Sequence, residues 1–246
     1  MRALRAAWRL LRALGVGLAG WRTIAFEFPR LAPHEREQRV QDWARRMLQV
    51  LGIELRLLGT APAHGPLLLV ANHISWLDIL VIHAARHCRF VSKADVKHWP
   101  LIGTLATGAG TLYIERESRR DAMRVVHHMA DALRAGDILA VFPEGTTTDG
   151  RELLPFHANL IQAALSAPAP VMPVALSFVD AHSGETSFAA SYIGDETLVG
   201  SLWRTLTAPP LAAIVAFGEP QPPQSRERRA WAADLRKAVG ELRARR

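Results

Sequence analysis

The stretch LLLVANHISWLDI, Leu67–Ile79, decides how the rest of the chain is read. Leu67–Ala71 is a run of apolar residues short enough for a buried strand. It leaves through Asn72-His73 into Ser75-Trp76-Leu77-Asp78, a pattern that opens helices. A strand that passes directly into a helix is the first half of a β-α-β unit.

Asp78 has two roles open to it. In a capping box it accepts the backbone N–H of Ser75 and does nothing more. It also stands five positions after His73, and residues five apart in a continuous helix diverge by about 140°. The two side chains therefore meet only if His73 lies in the turn before the helix and Asp78 in its first turn. A strand-to-helix passage supplies that geometry. A carboxylate so placed holds the imidazole tautomer that leaves the other ring nitrogen free to take a proton.

Outward from this stretch the same alternation continues. Strands are expected at Ile53–Leu58, Arg89–Ser92, Thr111–Glu115, Ile138–Phe142, Val171–Phe178, Phe188–Ile193 and Ala212–Phe217, with helices between them. The clearest helix is Arg119–Ala135, with Ala122, Val125, Val126, Met129 and Leu133 on one face, Ser118 and Asp121 as a capping box and Gly136 as its stop. The expected fold class is α/β, a mostly parallel sheet flanked by helices and preceded by an N-terminal amphipathic helical hairpin. The two parts divide at 1–50 and 51–246.

In such sheets the functional residues gather at the carboxyl ends of the strands. Three ends carry unusual residues: Asn72-His73, Glu115-Arg116, and PEGTTTDG over Pro143–Gly150. No G-x-S-x-G elbow exists to supply a serine nucleophile, and Cys88 has no visible partner. What remains for a base is a substrate hydroxyl and an activated acyl group held nearby.

Composition narrows the partners. The chain has 246 residues, 49% of them hydrophobic, which is ample for a sizeable core. A single cysteine excludes an intrachain disulfide and a CxxC metal knuckle, and favours a site facing the cytosol. The net charge of +7 is concentrated at the ends: residues 1–50 hold ten arginines against Glu27, Glu35, Glu37 and Asp42, and 224–246 hold eight basic residues against Glu227, Asp234 and Glu241. A basic rim suits an anionic surface, whether membrane or nucleic acid.

The N-terminus favours membrane. In MRALRAAWRLLRALGVGLAGW, Arg2, Arg5, Arg9 and Arg12 follow one helical face and Leu4, Ala7, Leu11, Leu14 and Leu18 the opposite one, bordered by Trp8 and Trp21. That pattern describes a helix lying in the membrane interface. Its uncharged part, Ala13–Trp21, falls short of the ~20 residues needed to span a bilayer, and the interleaved arginines break the order of a secretory signal. A second amphipathic segment, Glu35–Leu51, carries Val40, Trp43, Met47 and Leu51 on one stripe, so the two helices together are expected to form a membrane-facing hairpin hinged near Pro29–Pro33. The uncharged run Leu153–Val179 is cut by Pro155, Pro168, Pro170 and Pro173 into a short helix and a strand, not a membrane span.

NHISWLD (72–78), GTLYIER (110–116), FPEGTTT (142–148) and VMPVAL (171–176) resemble, in order and spacing, the four motif blocks of the glycerolipid acyltransferases, best known from lysophosphatidate acyltransferase. The resemblance covers roughly Leu67–Phe178. It implies His73 as general base and Asp78 as the residue that orients it. It implies Arg116, Glu144 and Gly145, with Thr146 close by, as contacts to the glycerol-phosphate part of the acceptor. A guanidinium grips phosphate bidentately and a glutamate can orient a hydroxyl. Lys93 matches a lysine often found at that point and is a further phosphate contact.

The resemblance also implies direct transfer of a fatty acyl group, with no covalent acyl-enzyme and no cofactor beyond the co-substrate, acyl-CoA or acyl-carrier protein. The acceptor is expected to be a lysolipid, first of all lysophosphatidate, giving phosphatidate in phospholipid biosynthesis. Backbone N–H groups of the helix after His73 are candidates to hold the thioester oxyanion. No metal is expected, because His83 and His87 lack the glutamate of a zinc-protease helix and His127-His128 has no carboxylate in register. The implied setting is the cytoplasmic face of the inner membrane, with an anionic membrane surface as partner and no nucleic acid.

One departure bears on the acceptor. Many relatives read F-K-x-G after the third block, whereas this chain reads Phe156-His157-Ala158-Asn159. Relatives that acylate lyso-ornithine lipid keep the EGTT-DG flavour of Glu144–Gly150, so that lipid is the alternative acceptor. A thioesterase using the same His-Asp pair with water, and a non-catalytic lipid-binding module, are the alternatives of other classes.

Overall fold

Seven strands form one sheet in the order β1-β7-β6-β2-β5-β3-β4. This computed structural model describes residues 1–114, 119–223 and 226–245. In chain order the elements are α1 (Arg2–Arg22), α2 (Pro33–Leu51), β1 (Ile53–Leu58), β2 (Leu67–Ala71), α3 (Leu77–Ala85), β3 (Arg89–Lys93), α4 (Ile102–Gly108) and β4 (Leu112–Ile114). There follow α5 (Arg119–Arg134), β5 (Ile138–Val141), α6 (Ala158–Ser166), β6 (Val171–Asp180), α7 (Leu198–Thr207), β7 (Leu211–Phe217) and α8 (Arg228–Ala244). Among the described residues, the strands β6 and β7 pair antiparallel and the other strand pairs are parallel.

The central strand β2 explains the layering. All five of its residues are buried, as a parallel strand covered on both faces requires. Leu67, Leu69 and Ala71 enter a core shared with α1, α2 and α3, and Leu68 and Val70 enter the opposite core with α5, α6 and α8. Leu68 and Leu69 are fully removed from water, contributing about 1.5–3 kcal/mol each. Helices on both faces leave the carboxyl edge of the sheet as the open place for a crevice.

The N-terminal pair divides its labour in a way the amphipathic patterns do not reveal. The helix α2 begins with Pro33, closes its first turn with Glu35 accepting the Ala32 N–H at 2.7 Å, and ends at Gly52 in a left-handed conformation, φ 72°. Its stripe of Val40, Met47 and Leu51 is buried in the protein, and Trp43 donates to the Val16 carbonyl at 2.9 Å. The expected membrane-facing hairpin is thus corrected to a single outward helix, since α2 covers the sheet and α3. The other helix, α1, docks by its small residues, Ala6, Gly17 and Gly20, and leaves Leu4, Trp8, Leu11, Leu14, Leu18 and Trp21 exposed. Arg9 lies against Gly52, where its charge meets the carbonyl end of α2.

The expected strand Phe188–Ile193 does not form. Residues 181–197 make a long excursion between β6 and α7 whose order comes from isolated hydrogen bonds, and Phe188 and Ile193 are exposed. The run 153–179 divides as expected into α6 and β6. No helix among the described residues is long and apolar enough to cross a membrane. Ser118, the expected cap of α5, lies outside the described residues.

Candidate active site

The strands β2, β5, β3 and β4 are neighbours and run parallel, so their carboxyl ends line one edge. His73 follows β2, Glu144 follows β5, Lys93 closes β3, and Lys93 pairs with Ile114 at the end of β4. Arg116, two residues beyond Ile114, lies outside the described residues.

His73 and Asp78 meet. The Nδ1 of His73 lies 2.7 Å from Asp78 Oδ2, and a carboxylate can only accept, so Nδ1 carries the proton and Nε2 presents a lone pair. The imidazole is 19% exposed, while Asp78 is fully buried. The same Oδ2 accepts the backbone N–H groups of Ile74 at 2.6 Å and Ser75 at 2.9 Å. Capping and orienting are one arrangement, with Asp78 drawing the turn closed and holding the ring with the same atom. Ser75 is spent as well, buried with its Oγ accepting the Leu77 N–H at 3.2 Å. Cys88 is buried and its thiol pKa is raised, chiefly by desolvation, so neither residue offers a nucleophile.

Asp78→Asn separates the two roles. The amide oxygen can still accept the turn's N–H groups, but the charge facing the ring is gone. A charge-assisted hydrogen bond is worth about 1.5–3 kcal/mol, so kcat/KM should fall roughly 10- to 150-fold while Tm barely moves. Parallel kinetics and melting curves check this, and unchanged activity would leave Asp78 as a cap only.

The remaining expected residues are brought together in unequal ways. Glu144 is 3% exposed, and both its oxygens are occupied: Oε1 accepts the His73 N–H at 2.8 Å and Oε2 the Leu154 N–H at 2.9 Å. Burial raises its carboxyl pKa, opposed by these two bonds and by the charges of His73 and Arg243. In this structure Glu144 faces backbone, not a free hydroxyl position. Gly145 has φ 75°, a conformation that favours glycine, and a Cβ there would lie 3.1 Å from the exposed His157 ring. Thr146 and Lys93 are exposed at the edge.

The expected oxyanion donors are largely consumed. Asp78 takes the N–H groups of Ile74 and Ser75, Ser75 takes those of Leu77 and Asp78, and Glu144 takes that of His73. The turn after His73 spends these donors on its own closure.

Several residues that hold the base have no role assigned from the sequence. Phe142 lies flat on the His73 ring, centroids 4.0 Å apart and planes 7° from parallel. Asn72, buried, binds Leu176 with both amide atoms, at 3.0 and 2.7 Å, and so pins the end of β2 to β6. The carbonyls of the turn are held from the far side, His73 by the Thr148 N–H at 2.9 Å and Ile74 by the Tyr192 N–H at 3.0 Å. Asn72, Phe142 and Thr148 stand inside the quoted motifs but are given no role by them; Tyr192 lies outside them and carries no signal. His83 and His87 stack on each other with centroids 5.4 Å apart, and burial, aided by His87, pushes His83 down to about 3.

A family model described as Acyltransferase matches residues 52–177, half of the chain, from β1 into β6. A lyso-ornithine lipid O-acyltransferase of Pseudomonas aeruginosa is 39% identical over 97% of this chain and 92% of its own length. The chain belongs to the glycerolipid acyltransferase family. A second member, a 1-acyl-sn-glycerol-3-phosphate acyltransferase of Neisseria meningitidis, is 37% identical over 75% of this chain and 72% of its own. The crystal structure of the 1-acyl-sn-glycerophosphate acyltransferase from Thermotoga maritima shares the acyltransferase fold, with a TM-score of 0.67 at 20% identity over 96% of this chain and 98% of that one. This glycerolipid acyltransferase is accordingly an O-acyltransferase that moves an acyl group to a lysolipid.

Proposed function

We propose that the chain transfers a fatty acyl group from acyl-CoA or an acyl-carrier protein directly to the free hydroxyl of lysophosphatidate, with His73 as base. The observation that carries this reading is the 2.7 Å His73–Asp78 pair, which engages Nδ1 so that in the neutral ring Nε2 is the nitrogen with the lone pair, one face of the ring being pinned by Phe142. Nε2 takes the hydroxyl proton as the oxygen attacks the thioester carbonyl. The tetrahedral oxyanion then collapses, the C–S bond breaks, and the departing thiolate takes the proton back from the imidazolium. The acceptor's phosphate is read by Lys93 at the strand edge and by Arg116.

Arg116→Ala should lower kcat/KM for a phosphate-bearing acceptor by about 10- to 150-fold, the worth of a charge-assisted pair, and lysine should recover only part of it because it cannot make the fork. Unchanged acceptor kinetics with a lowered Tm would assign Arg116 to the fold instead.

Lyso-ornithine lipid is the second reading, favoured by the near full-length similarity to the Pseudomonas relative and by His157, which stands beside Gly145 where many relatives have lysine. The experiment is a direct one: purified protein, acyl-CoA, and the two acceptors compared by kcat/KM. Preference for lyso-ornithine lipid overturns the phosphatidate assignment, and thioester hydrolysis without transfer overturns both.

The acceptor is a lipid, and we further propose that α1 meets the cytoplasmic membrane surface through its exposed leucines and tryptophans, with Arg2, Arg5 and Arg12 supplying roughly 1 kcal/mol each toward anionic lipid. Arg9 is left out because it is spent on the end of α2. Replacing Arg2, Arg5 and Arg12 with glutamate should release the protein from anionic vesicles in a flotation gradient without lowering Tm. A triple variant that still floats would place the anchor elsewhere.

A further inference from the structure

The excursion 181–197 and the helix α7 that follows it carry four large apolar side chains that stay exposed, Phe188, Ile193, Val199 and Trp203, by 39, 46, 73 and 41%, with the Arg151 guanidinium over one face of the Phe188 ring at 4.6 Å. Exposed apolar side chains clustered on one segment mark a contact surface more often than singly scattered ones do. This segment is also not a loose flap. The Tyr192 N–H is bound to the Ile74 carbonyl at 3.0 Å, Thr147 donates to the Tyr192 carbonyl, and Arg204 donates to that of Ser191. From the helix, Ser201 Oγ accepts the indole N–H of Trp76 at 3.2 Å. The exposed residues are therefore fixed to the turn that holds His73, and α7 packs beside α1.

We propose that Phe188, Ile193, Val199 and Trp203 form a lip beside the catalytic turn that rests on the lipid surface holding the acceptor, a second contact distinct from the leucine stripe of α1. The argument is one of reach. Acceptor and product are lipids whose chains stay in the bilayer, so the hydroxyl reaches Nε2 only if the mouth of the crevice sits at the lipid surface. These four stand on the segment whose Tyr192 binds the catalytic turn and whose Ser201 binds Trp76 at the start of the helix after it. A second copy of the chain is a poorer occupant, because four partly exposed side chains fall well short of the ~800 Å² that each partner of a stable interface buries. The proposal rests on the reading that α1 brings the protein to the membrane, and it adds that the lip, not α1, aligns the base with the acceptor.

Cys88 is buried, so a single introduced cysteine can be labelled selectively. An environment-sensitive fluorophore on Val199→Cys should shift to the blue, and be quenched by lipid-borne quencher, when vesicles of equimolar phosphatidylcholine and phosphatidylglycerol are added. The same label on Met123→Cys, exposed on α5 across the sheet, should not respond. The double variant Val199→Asp, Trp203→Asp should turn over a short-chain acceptor, monomeric in solution, at the unaltered rate and lose roughly 10-fold or more in kcat/KM on acceptor embedded in the vesicles. If the protein floats with vesicles but the label at 199 stays in water, the lip is overturned and the anchoring role of α1 stands. If the protein does not float, both are overturned. Equal response at 199 and 123, a shift without lipid that grows with protein concentration, or equal loss of activity on both forms of acceptor would each overturn the lip as well.

Discussion

His73→Ala lowers kcat by about 10²- to 10⁴-fold, the usual worth of a positioned general base, and leaves the fold in place. The turn survives because its closure does not use the ring: Asp78 still accepts the N–H groups of Ile74 and Ser75, and Glu144 still accepts that of His73 itself. What is lost structurally is the stacking on Phe142, worth about 0.5–1.5 kcal/mol, and the ring's bond to Asp78, worth about 1.5–3 kcal/mol, so Tm should drop by roughly 5–15 °C. Single-turnover kinetics with acyl-CoA and the preferred lysolipid, beside a melting curve, check both halves. Near-normal turnover would remove His73 from the reaction and reduce the pair to a helix cap.

The second large effect is expected at Glu144, and it falls on a different quantity. With both oxygens committed to the His73 and Leu154 amides, Glu144→Ala orphans two part-buried donors, at up to roughly 1–3 kcal/mol each. A domain of this size then melts roughly 5–20 °C lower. Glu144→Gln keeps one acceptor and turns a donor toward the other amide, so it should lose about half as much. Activity falls with both, through kcat, because the backbone of the base has moved. If Glu144 oriented an acceptor hydroxyl instead, the acceptor KM would rise while Tm held. That result would return it to the substrate contacts.

These two residues also mark how far the sequence could be read. The His73–Asp78 pair was legible because its partners stand five positions apart across one strand-to-helix turn, and local geometry alone decides whether they meet. Glu144 could be placed at a strand end, but its occupants are two main-chain N–H groups, which carry no residue signature. Among the strands, β1 and β2 agree with expectation residue for residue because apolar runs bounded by glycine or proline have no competing reading. Phe188–Ile193 is a short apolar run like the strands, yet its Tyr192 N–H goes to the Ile74 carbonyl and its Ser191 and Tyr192 carbonyls accept from Arg204 and Thr147, distant groups that pattern cannot supply. The stripe on α2 was real, but amphipathicity does not say whether lipid or the protein's own sheet will cover it. Arg116 lies outside the described residues, so its role is argued from the motif and tested by kinetics.

The hydrogen bonds that steady the catalytic turn have a consequence for how the enzyme comes into being. Glu144 meets His73 across 71 residues, Thr148 meets it across 75, and Asn72 meets Leu176 across 104. Contacts so far apart in the chain are made late in folding, since the entropy of closing large loops must be overcome before they form. The histidine and aspartate can approach each other early, within a single nascent turn, but they are not steadied until β5 and β6 have docked on either side of β2. A half-folded or truncated chain therefore carries the motif without the rigid base, and reactive thioesters meet a competent site only on a completed sheet.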